Sequence, residues 1–158
     1  MSTAFPSRPR QIGQRRTFAI VASQYNSEFV GGLVDHCRRE LEAISPTFSI
    51  QTYEVPGAFE IPLLVQEVAG RNVDAIIALG VIIEGQTQHA ALIASAITNS
   101  LQQLSLTHRL PIIHEVLLVK DAEQARVRCL EEEINRGTEA ARVAAQMVQT
   151  LSAVRTSR

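Results

Sequence analysis

The chain contains no tryptophan, only two tyrosines and five phenylalanines in 158 residues, and a single lysine, Lys120, against fourteen arginines. Chemistry that hangs a substrate or a pyridoxal cofactor on an enzyme amine would have to use that one residue, so it is not expected. Cys37 and Cys129 are far apart and form no CxxC, which favours reduced thiols in helices over a bridge. His36, His89, His108 and His114 show no HxxxH-type spacing, so no metal centre is expected. The longest uncharged apolar run, Ala75 to Ile83, is half of what a bilayer demands. Residues 1–16 lack the apolar stretch of a secretory signal. Both absences predict a cytoplasmic protein with no membrane role. Fifteen basic against sixteen acidic residues, a net charge of −1, give no general pull toward nucleic acid.

What is present is ordinary for a globular protein: 46% apolar and 20% charged residues. A chain of this length hides roughly 68–70% of its unfolded surface, enough for one core without disulfides or metals. Residues 1–16, with two prolines and four arginines, read as a flexible N-terminal arm, either disordered or docked, and residues 17–158 as a single domain.

Short apolar runs alternate with helical patterns. Thr17 to Ala22 reads as a buried strand. Phe29, Val30, Leu33, Val34, Cys37, Leu41 and Ile44 mark one face of a helix that Asn26 or Ser27 can cap. A more polar strand follows at Phe48 to Glu54, then a helix with Pro62 in its first turn. Asp74 to Ile83 is a third strand, Gln88 to Leu106 a long helix, and Pro111 to Val119 a fourth strand. A helix over Asp121 to Glu133, a break at Asn135-Arg136-Gly137 and a last helix over Thr138 to Val154 complete the chain. This order predicts an α/β protein, a three-layer flavodoxin-like sandwich with a four-stranded parallel sheet flanked by helices.

Ligands in such folds sit beyond the carboxyl ends of the strands. The segment Ile83-Glu84-Gly85-Gln86-Thr87-Gln88-His89 leads from a strand into a helix, and its free amides would suit an anion such as phosphate. It carries neither GxGxxG nor GxxxxGKS, so dinucleotides and nucleoside triphosphates lack their fingerprints. His89 would stand on the first helical turn, either exchanging protons there or merely packing. Val55 to Pro62 brackets a glycine, an aromatic and a carboxylate between prolines: Phe59 could stack on a flat ring whose edge bonds Glu60, or instead enter the core. Tyr25 could add a second wall or lie idle on the surface. Arg126 and Arg128 diverge by about 200° around a helix, so only one can reach a given pocket.

These residues resemble a known family, the 6,7-dimethyl-8-ribityllumazine synthases. VPGAFEIP at Val55 to Pro62, VIIEGQTQH at Val81 to His89 and EQARVR at Glu123 to Arg128 occur in order and at matching separations, with Tyr25-Asn26 where the family has an aromatic followed by Asn. The resemblance spans about residues 17 to 154. It implies a cofactor-free condensation of 5-amino-6-(D-ribitylamino)uracil with 3,4-dihydroxy-2-butanone 4-phosphate in riboflavin biosynthesis. It further implies His89 as the proton-shuttling catalytic residue, with Gln86, Thr87 and Arg128 binding phosphate. Tyr25, Ala58, Phe59, Glu60, Val81, Ile82, Ile83 and His114 would contact the uracil substrate. The implied assembly is a homopentamer or a multiple of it with sites shared between neighbours, and riboflavin synthase is a candidate partner.

Departures from the family pattern are concentrated in acidic residues: Glu84 and Glu132 stand where basic residues are usual, and His114-Glu115 replaces a common Phe-Gly pair. Carboxylates beside a phosphate site weaken anion binding unless they point away. The alternatives are a divergent paralogue acting on a related ring or phosphosugar, or a protein that binds flavin or lumazine without turnover.

Overall fold

The computed structural model describes residues 5–10, 14–85 and 88–157. The element order is β1 (Thr17–Ser23), α1 (Ser27–Ile44), β2 (Ser49–Val55), a 3-10 turn (Ala58–Glu60), α2 (Ile61–Ala69), β3 (Ala75–Ile83), α3 (His89–His108), β4 (Ile112–Val119), α4 (Ala122–Cys129) and α5 (Arg136–Thr156). The sheet is parallel throughout, in the order β2-β1-β3-β4. It is the three-layer flavodoxin-like arrangement expected.

The two central strands explain the architecture. Along β1, Phe18 and Ile20 point into one apolar cluster with α1, α4 and α5, while Ala19 and Val21 point into a second with α2 and α3. All four are fully buried, as side chains alternating across a sheet covered on both faces must be. The edge strand β2 is largely exposed, which matches its polar sequence. On the α1 side, Ala140, Ala141, Ala144 and Ala145 bring α5 close to α1. Gly137 makes the closest approach, since a Cβ there would meet the Leu33 carbonyl oxygen.

The α4–α5 junction differs from the expected one. α4 stops at Cys129 rather than Glu133, and the break falls before Arg136 rather than across Asn135-Arg136-Gly137. Asn135 is the reason. Its buried side chain accepts from the Gly137 and Thr138 amides at 2.9 and 3.2 Å, capping α5, and donates to the Cys129 and Glu131 carbonyls at 2.8 and 3.0 Å.

Residues 5–10 lie along α1 and α5. Arg8 forms a two-bonded pair with the buried Glu40 at 2.8 and 2.9 Å, and Arg142 reaches the same carboxylate at 2.8 Å. Arg142 also donates to the Pro6 carbonyl and lies over the Phe5 ring. The Arg8 hydrogen bond, outweighing burial and helped by Arg142, holds the Glu40 carboxyl below its ordinary range. Cys37 and Cys129 are both buried and free. Burial pushes the Cys129 thiol up to about 12. No described helix is long and apolar enough to cross a membrane.

Candidate active site

The carboxyl ends of β1, β2 and β3 converge on one set of loops. Gln24 and Tyr25 donate their amides to the Val55 and Pro56 carbonyls at 2.8 and 3.1 Å, joining the loop after β1 to that after β2. Asn26 adopts left-handed backbone angles, φ 58° and ψ 44°, which Asn tolerates better than most residues. Its side chain does not cap α1; Nδ2 instead donates to the Val81 carbonyl at 2.8 Å and ties the same loop to β3. Sequence reasoning saw only a helix cap at this residue. The αL conformation, which aims the amide across the sheet, has no signature in a dipeptide.

Gly57 allows these loops to close. A Cβ there would lie 2.8 Å from Glu60 Oε2 and 3.1 Å from the Tyr25 ring. Glu60 Oε2 accepts the Gly57 amide at 2.9 Å, so this carboxylate braces its own loop. Phe59, 61% exposed, is not in the core, and Tyr25 is 69% exposed. Ala58 is half-buried, and the turn carrying it packs on α3. Val81 is buried while Ile82 and Ile83 are half-buried, forming an apolar ledge at the end of β3. Glu84 is exposed, its amide donating to the Val119 carbonyl at 2.8 Å. Gln86 and Thr87 lie outside the described residues. His89 is the first residue of α3, and its imidazole is exposed.

His114 and Arg128 do not join this cluster within one chain. In the β3–β4 register His114 pairs with Ala78 and Val119 with Ile83. The five residues from His114 to Val119 put the imidazole about 16 Å below the loop end of the sheet. Its ring is also fully engaged. Nδ1 accepts the Val116 amide at 3.1 Å, and Nε2 stands 2.7 Å from Thr98 Oγ1, which donates to the Ala94 carbonyl at 2.8 Å. With Thr98's proton committed to Ala94, the consistent tautomer is neutral with hydrogen on Nε2. Burial lowers the His114 pKa, as this arrangement requires. Thr98 was not singled out from sequence, because pairing across sixteen residues depends on how α3 lies over β4.

Arg128 belongs to α4, on the opposite face of the sheet from α3. It is half-buried, its Nη1 donates to the Gln124 carbonyl at 3.4 Å, and it makes no ion pair among the described residues. Arg126 instead bonds Glu123 and Glu131 at 2.8 and 2.7 Å and is committed to them. The expected divergence of these arginines is therefore present. Of the acidic departures, Glu84 stays on the loop after β3, while Glu132 and Glu115 lie elsewhere. Glu131 is held by Arg126, Glu132 stands 4.0 Å from Arg39, and the β4 residue Glu115 lies near Arg136 and Glu139 of α5. Burial, with Glu139 adding to it, raises the Glu115 carboxyl to about 8. Among the described residues no cluster of His, Cys, Asp and Glu could hold a metal ion.

A family model described as 6,7-dimethyl-8-ribityllumazine synthase matches residues 15–152. The chain belongs to this family. Proteins with that name from Verminephrobacter eiseniae and from a Polaromonas species are 38% and 35% identical to it over 147 and 141 residues. These alignments cover 92% and 88% of this chain and 93% and 89% of the relatives. One from Burkholderia cenocepacia is 36% identical over 148 residues, covering 92% of the chain and 84% of the relative. Membership in the lumazine synthase family makes the chain a synthase-type enzyme, in keeping with the riboflavin-pathway role the three motifs imply. The match takes in all four strands and every loop described above.

Proposed function

We propose that the chain condenses 5-amino-6-(D-ribitylamino)uracil with 3,4-dihydroxy-2-butanone 4-phosphate in the cytoplasm, forming 6,7-dimethyl-8-ribityllumazine and releasing water and phosphate without a cofactor. The observation that carries this reading is His89, an exposed imidazole heading α3 beside the loops that hold Tyr25 and Phe59. The uracil ring lies against Tyr25, Ala58, Phe59 and the Val81–Ile83 ledge, with Glu60 bracing the loop beneath it. The ring amine adds to the ketone and water leaves, giving an imine between the two substrates. Loss of a carbon-bound proton then expels phosphate, and the ribitylamino nitrogen closes the second ring with loss of a further water. His89 carries these protons, a role worth about 10²–10⁴-fold. Holding both reactants in register supplies about 7–11 kcal/mol more. The scarcity of lysine suits chemistry in which the imine forms between substrates.

The Gln86 and Thr87 segment receives the phosphate, with Arg128. Because Arg128 and His114 lie away from the loop in their own chain, we assign them to the loop of a neighbouring copy, in a homopentamer or a multiple of it. α3 supports self-association. It carries no Asp, Glu, Lys or Arg, only Ile97 and Leu101 are buried among its 20 residues, and Leu92 and Leu106 stand more than 60% exposed. Incubation of the purified chain with both substrates, followed by lumazine absorbance, tests the activity; no absorbance would refute it. Co-assembly tests the shared site. His89→Ala and Arg128→Ala chains, each inactive alone, should regain roughly a quarter of the sites when randomly mixed across heterologous interfaces. No recovery would place both groups in one chain's site.

A further inference from the structure

The loop after β1 departs from ordinary backbone geometry beside the proposed uracil site. Asn26 and Arg109 are the two non-glycine residues with positive φ among the described residues, and Arg109 caps the far end of α3. At Asn26 the chain leaves β1 and turns into α1, with the side chain aimed back across the sheet rather than along the helix. Left-handed angles cost free energy in a residue with a Cβ, and they persist only where the surroundings hold them. The helix does not need that side chain to begin. Its first turn closes on the Asn26 carbonyl, which accepts from the Phe29 and Val30 amides at 3.0 and 3.1 Å.

The Asn26 side chain instead meets a need of β3. The β1–β3 ladder stops at Ala22 and Leu79, two residues short of Val81, and Asn26 Nδ2 donates to the Val81 carbonyl at 2.8 Å where the ladder has ended. Tyr25 is thereby anchored from two sides. Its own amide donates to the Pro56 carbonyl at 3.1 Å, and its ring lies 3.1 Å from where a Cβ on Gly57 would stand. The residue that follows it is tied to β3. One amide therefore sets the spacing between the Tyr25 ring and the apolar ledge from Val81 to Ile83.

We infer that Asn26 is a positioning residue of the uracil site, holding Tyr25 and the Val81–Ile83 ledge in register for the flat ring without touching it. The inference rests on the reaction proposed above. A helix cap and a clamp of this kind rank substitutions in opposite orders. Asp caps a helix about as well as Asn, and Gly only a little less well. Both also accept left-handed angles better than other residues do. In a clamp, Gly merely removes the donor, whereas Asp turns a negative oxygen on the Val81 carbonyl and is the worse of the two.

Calorimetric titration of the full chain with 5-amino-6-(D-ribitylamino)uracil, together with steady-state kinetics in both substrates, tests the inference. Asn26→Gly should weaken uracil binding about 2- to 10-fold, and Asn26→Asp about tenfold or more. The KM for the phosphate-bearing substrate should stay at the wild-type value in both. In a double-mutant cycle, Asn26→Gly should add little to the loss caused by Tyr25→Ala, because the two act through one ring. Should Asn26→Asp not fold, Asn26→Gly and the cycle still decide the matter. Wild-type binding by either variant, equal losses for both substrates or additive losses in the cycle would overturn the inference. Failure of the wild-type chain to bind the uracil would be a different result, removing the proposed reaction and this inference with it.

Discussion

Two histidines, one heading α3 and one in the middle of β4, show how placement alone separates an exposed imidazole from one with both ring nitrogens engaged. His89 is exposed on the first turn of its helix, and none of the hydrogen bonds among the described residues engages its ring. The His114 ring has both nitrogens occupied, one by the Val116 amide and one by Thr98. The first is free to meet a substrate proton. The second has both nitrogens engaged, one of them in holding α3 to the edge of the sheet, so in a neighbouring copy's site it would offer only its ring surface. The comparison teaches that the fate of each ring nitrogen separates an imidazole open to proton exchange from one that is not.

The largest effect should come from His89→Ala, which ought to lower kcat by about 10²–10⁴-fold while leaving uracil affinity nearly unchanged. Single-turnover kinetics with a binding titration would measure both, and an unaltered kcat would break the comparison. Thr98→Val should cost about 0.5–1.5 kcal/mol in urea melts, because it removes the Nε2 partner while keeping the side chain's shape. Nitrogen-15 spectra of His114 sharpen the contrast. Wild type should show the Nε2–H tautomer at pH 7, and its protonation should fall below the ordinary histidine range because burial disfavours the cation. Since the folded pKa is the lower, this contribution to stability is complete above about pH 6.5 and is lost as pH falls.

The smallest effect concerns Glu115, the neighbour of His114 facing the other way. Its carboxyl is raised to about 8 by burial, so the folded state holds a proton that the unfolded chain releases above about pH 4.5. Stability from this group is fully present in acid and declines as pH rises toward 8. Glu115→Gln should match wild type near pH 5 and exceed it near pH 8 by on the order of 1 kcal/mol, or about 2–4 °C in Tm. Equal melting at both pH values would show that Glu115 is solvated.

Much of the fold was legible because burial leaves a periodic trace. The unbroken apolar runs of β1 and β3 and the stripe from Val30 to Ile44 in α1 are consequences of facing a core on fixed sides. The α4–α5 junction was misread because its boundary depends on one side chain reaching back to carbonyls four and six residues earlier, which no periodicity reports. Motifs located the loops around Tyr25, Val55–Glu60 and Val81–His89 because those segments end strands. The resemblance implied sites shared between neighbours, but which residues lie away from the loops of their own chain, Arg128 and His114, depends on sheet order and register. Nor could the motifs show Glu40, a buried carboxylate whose partners, Arg8 and Arg142, lie 32 and 102 residues away.

The Asn135 amide makes four hydrogen bonds, two as acceptor and two as donor. Aspartate would keep the acceptors but turn a negative oxygen on the Cys129 and Glu131 carbonyls. Serine is too short to span both helices, and leucine would strand every one of these backbone groups. None of these three replacements keeps all four bonds, and any library of variants should return asparagine there long before it settles the more conspicuous residues around the site.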